Sequence, residues 1–324
     1  MQEEISILML AYNHEKWIAK AIESILKQKT KYKFKIYIHE DCSTDNTREI
    51  VKKYKNNYPD IIELILADTN RYSRGINIIM DIMLPQTKGK YIMICEGDDY
   101  WTYEGKIELQ IDYMEKNNDC EFTFGNADII YVNGKFFKKF LPDNIWNDVE
   151  LQKKILNKNG CDFTINEIIL LDFIPTASIC ITRHALKMLE GFSDVFDLII
   201  RLIGTYAGKK AHYFNKTLSA YRTGNINSAS GSISNSYELQ YKYFYTRHKK
   251  AYEKFDKFSN YKYHDTLMKA TERKLVITEL TRSYCKAKKI NVFYELSFSK
   301  RTKEFIRFYF PMLFNLLKII RHKC

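Results

Sequence analysis

Three carboxylates, Glu96, Asp98 and Asp99, stand in the run MICEGDDYW, where an apolar stretch that reads as a buried strand comes to its end. Acids this close together repel one another and resist desolvation unless a cation sits between them. Oxygen groups of this kind suit Mg2+ or Mn2+, ions that commonly bridge one or two carboxylates to the diphosphate oxygens of a substrate. No G-x-G-x-x-G follows the first apolar run and no G-x-x-x-x-G-K-S/T occurs, so phosphate charge would be met by that ion rather than by a glycine-rich cradle. Polar groups also close two other apolar runs: Ala11, Tyr12 and Asn13 follow the first, and Glu40 and Asp41 the second.

Those residues need elements to position them. ISILML, KFKIYIHE, IIELILA (Ile61 to Ala67) and YIMIC read as four buried strands. Between them Trp17, Ile18, Ala21, Ile22, Ile25 and Leu26 recur at helical spacing, Ile50, Val51 and Tyr54 mark a second helix, and a third is expected around Ile76 to Leu84. Asn13 can cap the first helix and Ser43 or Thr44 the second; a cap is also the alternative role for Asp41, with Asp45 better placed for it. Strand and helix in alternation predict an α/β fold, a doubly wound, mostly parallel sheet flanked by helices. Ligands of such sheets bind outside the carboxyl ends of the strands, where the polar clusters fall.

SILMLAYNHEKWIAKAIESILKQ, IHEDCSTDNTREIV, KGKYIMICEGDDYW and GKKAHYFNKTLSAYR together resemble, in order and spacing, the signatures of a family 2 glycosyltransferase with the GT-A fold, over roughly residues 4 to 225. The resemblance implies a GT-A domain over 1–234, with a nucleotide-sugar half at 1–105 and an acceptor half at 106–234, followed by a helical C-terminal region at 235–324. It implies a donor-binding set of Ala11, Tyr12, Asn13, Glu15, Asp41, Arg74, Glu96, Asp98 and Arg222. In that set Asp41 accepts from the base N3–H, Asp98 reaches the ribose, and Asp99, with Asp98, holds the divalent ion. Simple packing is the other reading of Tyr12, and solvation that of Arg71 and Arg74 in NRYSRG. The family's general base falls on Asp197 in FSDVFDLIIRLIGTYAGKK, with Asp194 as the alternative; a helix N-terminal charge would also account for Asp197. Tyr100 and Trp101 either floor the sugar site or pack in the core. The chain departs from the family at Gly224, where Y-R-x-H carries histidine: Asn225 or Asn227 substitutes, or the subgroup lacks that ligand. His184 and His212 read as ordinary surface or core residues. The implied activity is metal-dependent, inverting transfer from a nucleotide-diphosphate sugar, UDP foremost, to a hydroxyl of a glycan or lipid-linked oligosaccharide.

Across 324 residues the formal charge is +12, and the basic clusters RHKK, KAKK, SKRTK and RHK all lie in the last third. Nucleic acid, an anionic membrane surface and a lipid-linked diphosphate are the polyanions such a face could meet, and a solvated basic face is the plain alternative. Acids at strand ends would repel a nucleic-acid backbone, which argues against that partner. The last segment, EFIRFYFPMLFNLLKIIRHKC, is interrupted by Arg307, Pro311, Asn315 and Lys318 and falls short of the ~20 apolar residues of a spanning helix, so it is expected in the membrane interface or packed on the protein. Seven cysteines, an odd number without paired metal-type spacing, suit reduced thiols and argue against zinc. No stretch near Met1 reads as a signal peptide, and a cytoplasmic enzyme peripheral to the inner face of the membrane is expected. A nucleotidyltransferase would need a glycine- and lysine-rich loop where AYNHEKW stands, and a non-catalytic relative is supported only by Gly224. The stretch between Gly134 and Asn166 is expected to be an acceptor-facing loop region.

Overall fold

A computed structural model describes residues 4–141, 146–171, 174–192, 195–224 and 237–315, except the side chains of residues 197, 237, 240, 243 and 244. The strands are β1 (Ile5–Ala11), β2 (Phe34–Glu40), β3 (Ile62–Leu66), β4 (Tyr91–Ile94), β5 (Tyr100–Trp101), β6 (Cys120–Tyr131), β7 (Phe136–Lys139), β8 (Cys161–Phe163), β9 (Cys180–Thr182) and β10 (Lys210–Thr223). The α-helices are α1 (Ile18–Leu26), α2 (Thr47–Asn57), α3 (Lys106–Lys116), α4 (Val149–Leu156), α5 (Ile165–Leu170), α6 (Arg183–Lys187), α7 (Phe196–Gly208), α8 (Tyr237–Gln240), α9 (Arg247–Phe258), α10 (His264–Glu279), α11 (Tyr284–Lys288) and α12 (Phe298–Tyr309). One sheet runs β3-β2-β1-β4-β9-β6-β10-β5, with β7 added to β6 and β8 to β10. β3, β2, β1 and β4 are parallel, β9 opposes both β4 and β6, β10 is parallel to β6, and β5 opposes β10. The expected α/β fold with a mostly parallel sheet flanked by helices is therefore present, and the sheet is mixed, with β5, β7, β8 and β9 antiparallel to their neighbours.

β1 is buried along nearly its whole length because helices cover both faces of a parallel sheet. α1 turns Ile18, Ala21, Ile22 and Ile25 inward, and they share a core with Ile5, Ile7 and Met9 of β1 and with Ile107 and Ile111 of α3. Two expected caps are corrected. α1 starts at Ile18 after Trp17, and α2 starts at Thr47 after Asn46, neither with a side-chain cap. Asn13 and Ser43 instead bind each other's loops: Ser43 Oγ accepts from Asn13 N, and Asn13 Oδ1 from Thr44 N. The expected helix near Ile76 is a π-helical turn, Ile78–Met83, followed by a 3-10 turn, Leu84–Gln86.

The chain forms two compact units, Met1–Leu141 with Lys154–Asn225, and Pro142–Lys153 with Ile226–Cys324. The stretch expected to be an acceptor-facing loop is thus divided: β7 and β8 join the sheet, while Pro142–Lys153 belongs to the helical unit. Arg273 of α10, almost wholly buried, anchors that excursion. Its guanidinium donates to both oxygens of Asp148 at 2.7 and 3.0 Å, reaches Glu295 at 2.6 Å, and lies 4.8 Å from the Trp146 ring centroid. Trp146 packs with Val276, Leu280, Val292, Phe293 and Leu296. Removing the buried guanidinium strands two partly buried acids and bares the Trp146 face, so Arg273→Ala is expected to lower unfolding stability by about 3 kcal/mol, read by urea titration.

In the sheet unit, Lys106 is fully buried. Its ammonium donates to Gln110 Oε1 at 2.8 Å and sits 4.2 Å from the Trp101 ring centroid. Desolvation pushes it down to about 7 from 10.5. Between those values the unfolded chain binds the extra proton, so this residue makes stability rise with pH from about 7 to 10.5. Lys106→Met is expected to raise the melting temperature at pH 7 and to flatten its climb toward pH 10, as followed by circular dichroism.

Candidate active site

Register brings the polar strand ends together. β1 pairs β2 up to Ala11 opposite Glu40, and the ladder continues with Asp41 N donating to Ala11 O at 2.9 Å. β1 pairs β4 up to Leu8 opposite Ile94, after which Gly97 N donates to Leu10 O at 2.8 Å. The chain then crosses to β10, where Trp101 opposes Ser219 and Tyr100 opposes Ala220. Continuing that antiparallel register sets Asp98 and Asp99 beside Arg222.

The loops after β1 and β2 are tied reciprocally. Asn13 N donates to Ser43 Oγ, Thr44 N to Asn13 Oδ1, His14 N to Thr47 Oγ1 and Glu15 N to Asp45 Oδ2, at 2.7–3.0 Å. Glu15 accepts from both Asn46 nitrogens, and Asp45 Oδ1 accepts from Thr47 N at 2.9 Å. Asn13 and Cys42 sit in the left-handed region, φ 55° and 63°, a conformation asparagine tolerates through such local bonds. Glu40, fully buried, accepts from Ser43 N at 2.6 Å and pairs with Arg48. Tyr12 is 40% exposed beside this framework.

Asp41 is buried and its oxygens are engaged. Arg71 N donates to Oδ1 at 2.8 Å, Tyr72 N to Oδ2 at 3.0 Å, and His39 Nε2 lies 3.3 Å from Oδ1. Burial holds the His39 imidazole below its usual range. Asp41 therefore anchors the loop after β3, and a base N3–H would share an oxygen already in use. Arg74 in that loop is exposed.

Asp99 is buried, Glu96 and Asp98 partly so. Asp99 Oδ1 accepts from Arg222 N at 2.8 Å, and Arg222 Nε donates to Asp98 O at 2.9 Å. The guanidinium also reaches the carbonyls of Tyr131 and Val132 and lies 5.2 Å from the Trp17 ring centroid. Burial, then the charges of Asp98 and Glu96, push Asp99 well above the usual carboxylate range. Among the described residues no three acid, histidine or cysteine side chains form a ready-made cage for an ion. The set suits an ion that takes one or two carboxylates and completes its shell from phosphate and water.

Of the aromatics, Trp101 is a core residue, 4% exposed with Lys106 over its ring, whereas Tyr100 is partly exposed and has Lys20 Nζ 3.6 Å from its ring centroid. Asp197 is the second residue of α7; Asp194, Asn225 and Asn227 lie outside the described residues. Gly224 has φ 86°. An open groove of about 530 Å³ along α3, lined by Lys29, Tyr103, Glu108, Tyr113 and Phe214 among others, contains none of the candidate acids. Sequence reasoning passed over His14, His39 and Arg48; His14 carried a visible signal, standing in the loop beside Tyr12 and Asn13.

Residues 6–167, half of the chain, match the sequence profile of glycosyl transferase family 2. The chain belongs to this family. Among curated relatives, it is 35% identical over 141 residues to the Escherichia coli UDP-Glc:alpha-D-GlcNAc-diphosphoundecaprenol beta-1,3-glucosyltransferase WfgD, covering 44% of this chain and 52% of that protein. It is 32% identical over 170 residues to the Shigella flexneri dTDP-rhamnosyl transferase RfbG, covering 51% and 56%. The chain spans about half the length of the curated relatives it matches. Its fold is similar to that of S. aureus TarS 1-349 solved in complex with UDP-GlcNAc, with TM-score 0.59, 16% identity, and 95% of this chain and 79% of that one covered. It is also similar to the mannosyltransferase PcManGT from Pyrobaculum calidifontis, solved with GDP-Man and Mn2+, with TM-score 0.56, 12% identity, and 96% and 82% covered.

A raised Asp99 holds more protons folded than unfolded, so the metal-free protein loses stability as pH rises through that interval. A divalent ion held by this carboxylate would compete with that proton, so the cation reading of the acids predicts by isothermal titration tighter Mn2+ binding at pH 8 than at pH 6. Asp99→Asn should abolish any Mn2+ signal and leave the metal-free melting temperature unchanged or higher, since the amide oxygen can still accept from Arg222 N and the side chain never takes on the charge that becomes costly for Asp99 as pH rises.

Proposed function

We propose that this family 2 member is a metal-dependent inverting glycosyltransferase. It moves a sugar from a nucleotide diphosphate, UDP foremost, onto a hydroxyl of a glycan or lipid-linked oligosaccharide in cell-surface polysaccharide assembly. The observation that carries the reading is Asp99, buried beside Asp98 and Glu96 at the carboxyl edge of the sheet and gripped by Arg222. Crowded, desolvated acids at a ligand-binding edge favour a cation with an anionic substrate. Relatives named for glucosyl and rhamnosyl transfer support the reaction class.

In this reading Asp99, with Asp98, holds Mg2+ or Mn2+, which when bound would offset charge on the leaving diphosphate. Asp98 meets the ribose, Asp41 and Tyr12 the base, and the exposed Arg74 can form forked contacts with phosphate. Ala11, Asn13 and Glu15 shape this pocket through the interlocked loops. Asp197 takes the proton from the acceptor hydroxyl, whose oxygen attacks the anomeric carbon from the side opposite the nucleotide. The glycosidic bond to the diphosphate breaks, and one displacement inverts the centre. The start of α7 favours the negative charge Asp197 needs as a base.

A membrane surface suits such an acceptor. Among the described residues no helix is long and apolar enough to cross a membrane. At the end of the helical unit, however, Phe298, Phe305, Phe310, Met312 and Leu313 are exposed, as are Lys286, Lys288, Lys289 and Lys303. Apolar groups among lysines favour the interface of an anionic bilayer, which supports the reading of a peripheral enzyme at the cytoplasmic face of the membrane.

Thermal shift against a panel of nucleoside diphosphates, with and without Mn2+, tests the reading, because a ligand selective for the folded state raises the melting temperature by mass action. One nucleotide is expected to stabilise the protein only with metal. No response to any nucleotide with metal present would overturn the reading. Asp197→Asn is expected to lower kcat by about 10²–10⁴ and leave nucleotide Kd unchanged, as measured by sugar transfer and titration.

A further inference from the structure

We propose that His14 is a positioning residue of the donor site, whose Nε2–H sets the direction of the Asp98 carboxylate and thereby the affinity for the nucleotide. The inference rests on the function proposed above and concerns a residue outside the expected donor set. His14 Nε2 lies 3.8 Å from Asp98 Oδ2. That separation is longer than a hydrogen bond, and contacts of ligand-free sites commonly tighten when the substrate binds.

The imidazole is held for this task from several sides. Its backbone N–H donates to Thr47 Oγ1 at 2.7 Å. Trp17 meets the ring edge-on at 6.2 Å between centroids, and the Arg222 guanidinium lies against Trp17 in turn. On the third side stands Gly97, where a Cβ would fall 2.7 Å from His14 Nδ1. Only glycine lets the loop carrying Asp98 approach the ring this closely.

The same surroundings choose the tautomer. Nδ1 is buried without a hydrogen-bond partner among the described residues, whereas Nε2 faces a carboxylate. A proton on Nδ1 would be a buried donor with no acceptor, so the proton belongs on Nε2. Asp98 is then met from two sides: its carbonyl accepts from Arg222 of β10, and its carboxylate is faced by a donor from the loop after β1.

The test compares three variants by nucleotide Kd with Mn2+ present and by donor KM and kcat. His14→Gln keeps an N–H donor near Nε2, His14→Asn places one near Nδ1, and His14→Leu has none. The Leu and Asn variants are expected to bind the nucleotide about tenfold or more weakly, with the loss in KM rather than kcat, and Gln to restore binding to within about threefold of wild type. Should the Leu variant fail to fold, Gln against Asn carries the comparison. Wild-type affinity in all variants, or a Gln variant no tighter than Asn, would reduce His14 to packing and overturn the inference while the proposed function stood. A wild-type protein that binds no nucleotide with metal would remove both.

Discussion

The burial of Asp99 beside two other acids is the constraint around which the sheet unit is arranged. A carboxylate with little access to water and like charges on either side is held in place only by donors that approach from elsewhere. Here Arg222, far along the chain on β10, supplies them: its main-chain N–H donates to the Asp99 carboxylate and its guanidinium to the neighbouring Asp98 carbonyl. For Arg222 to arrive, β5 must cross from the end of β4 to pair with β10, and that short antiparallel ladder does so. The acid cluster and the sheet topology are thus one arrangement: the crossing that carries Asp98 and Asp99 over the carboxyl edge also delivers their clamp.

The loops after β1 and β2 meet a related demand. Loops at a sheet edge expose backbone groups that need partners, and here each loop supplies the side chains for the other. Left-handed Asn13 and Cys42 are costs that this interlock offsets. The result is a rigid wall beside Tyr12 and the acids. Asp41 extends the same principle to the loop after β3, whose amides it binds, so three strand ends are fixed relative to one another without a glycine-rich phosphate cradle.

The helical unit depends on a different ionic contact. Arg273 draws Asp148, Glu295 and the face of Trp146 together, and thereby holds the stretch around Trp146 and Asp148 within the helical unit. A chain that leaves one unit and returns after Lys153 cannot be divided by a single cut. Buried arginine suits the task because its planar fork binds two carboxylates at once while its flat face packs on an indole.

Much of this was legible in the residue order. Apolar runs alternating with helical periodicity gave the sheet, because burial on both faces leaves strands almost wholly apolar. MICEGDDYW raised the expectation of a cation by its charges alone, and the structure brings those acids together at the sheet edge. The helix starts misled, since Asn13, Ser43 and Thr44 are good caps by type yet find better partners across the loops. Nothing local revealed that Trp101 is core and Tyr100 is not, that Asp41 is committed to the loop after β3, or that His14 faces Asp98. The sequence by itself determined which elements form and which carboxylates need a counter-charge, for periodicity and charge density are local properties. Only the tertiary structure decided which donors reach those carboxylates, because partners as distant as Arg222 and Asp99 meet through strand register and loop closure, and neither is written in neighbouring residues.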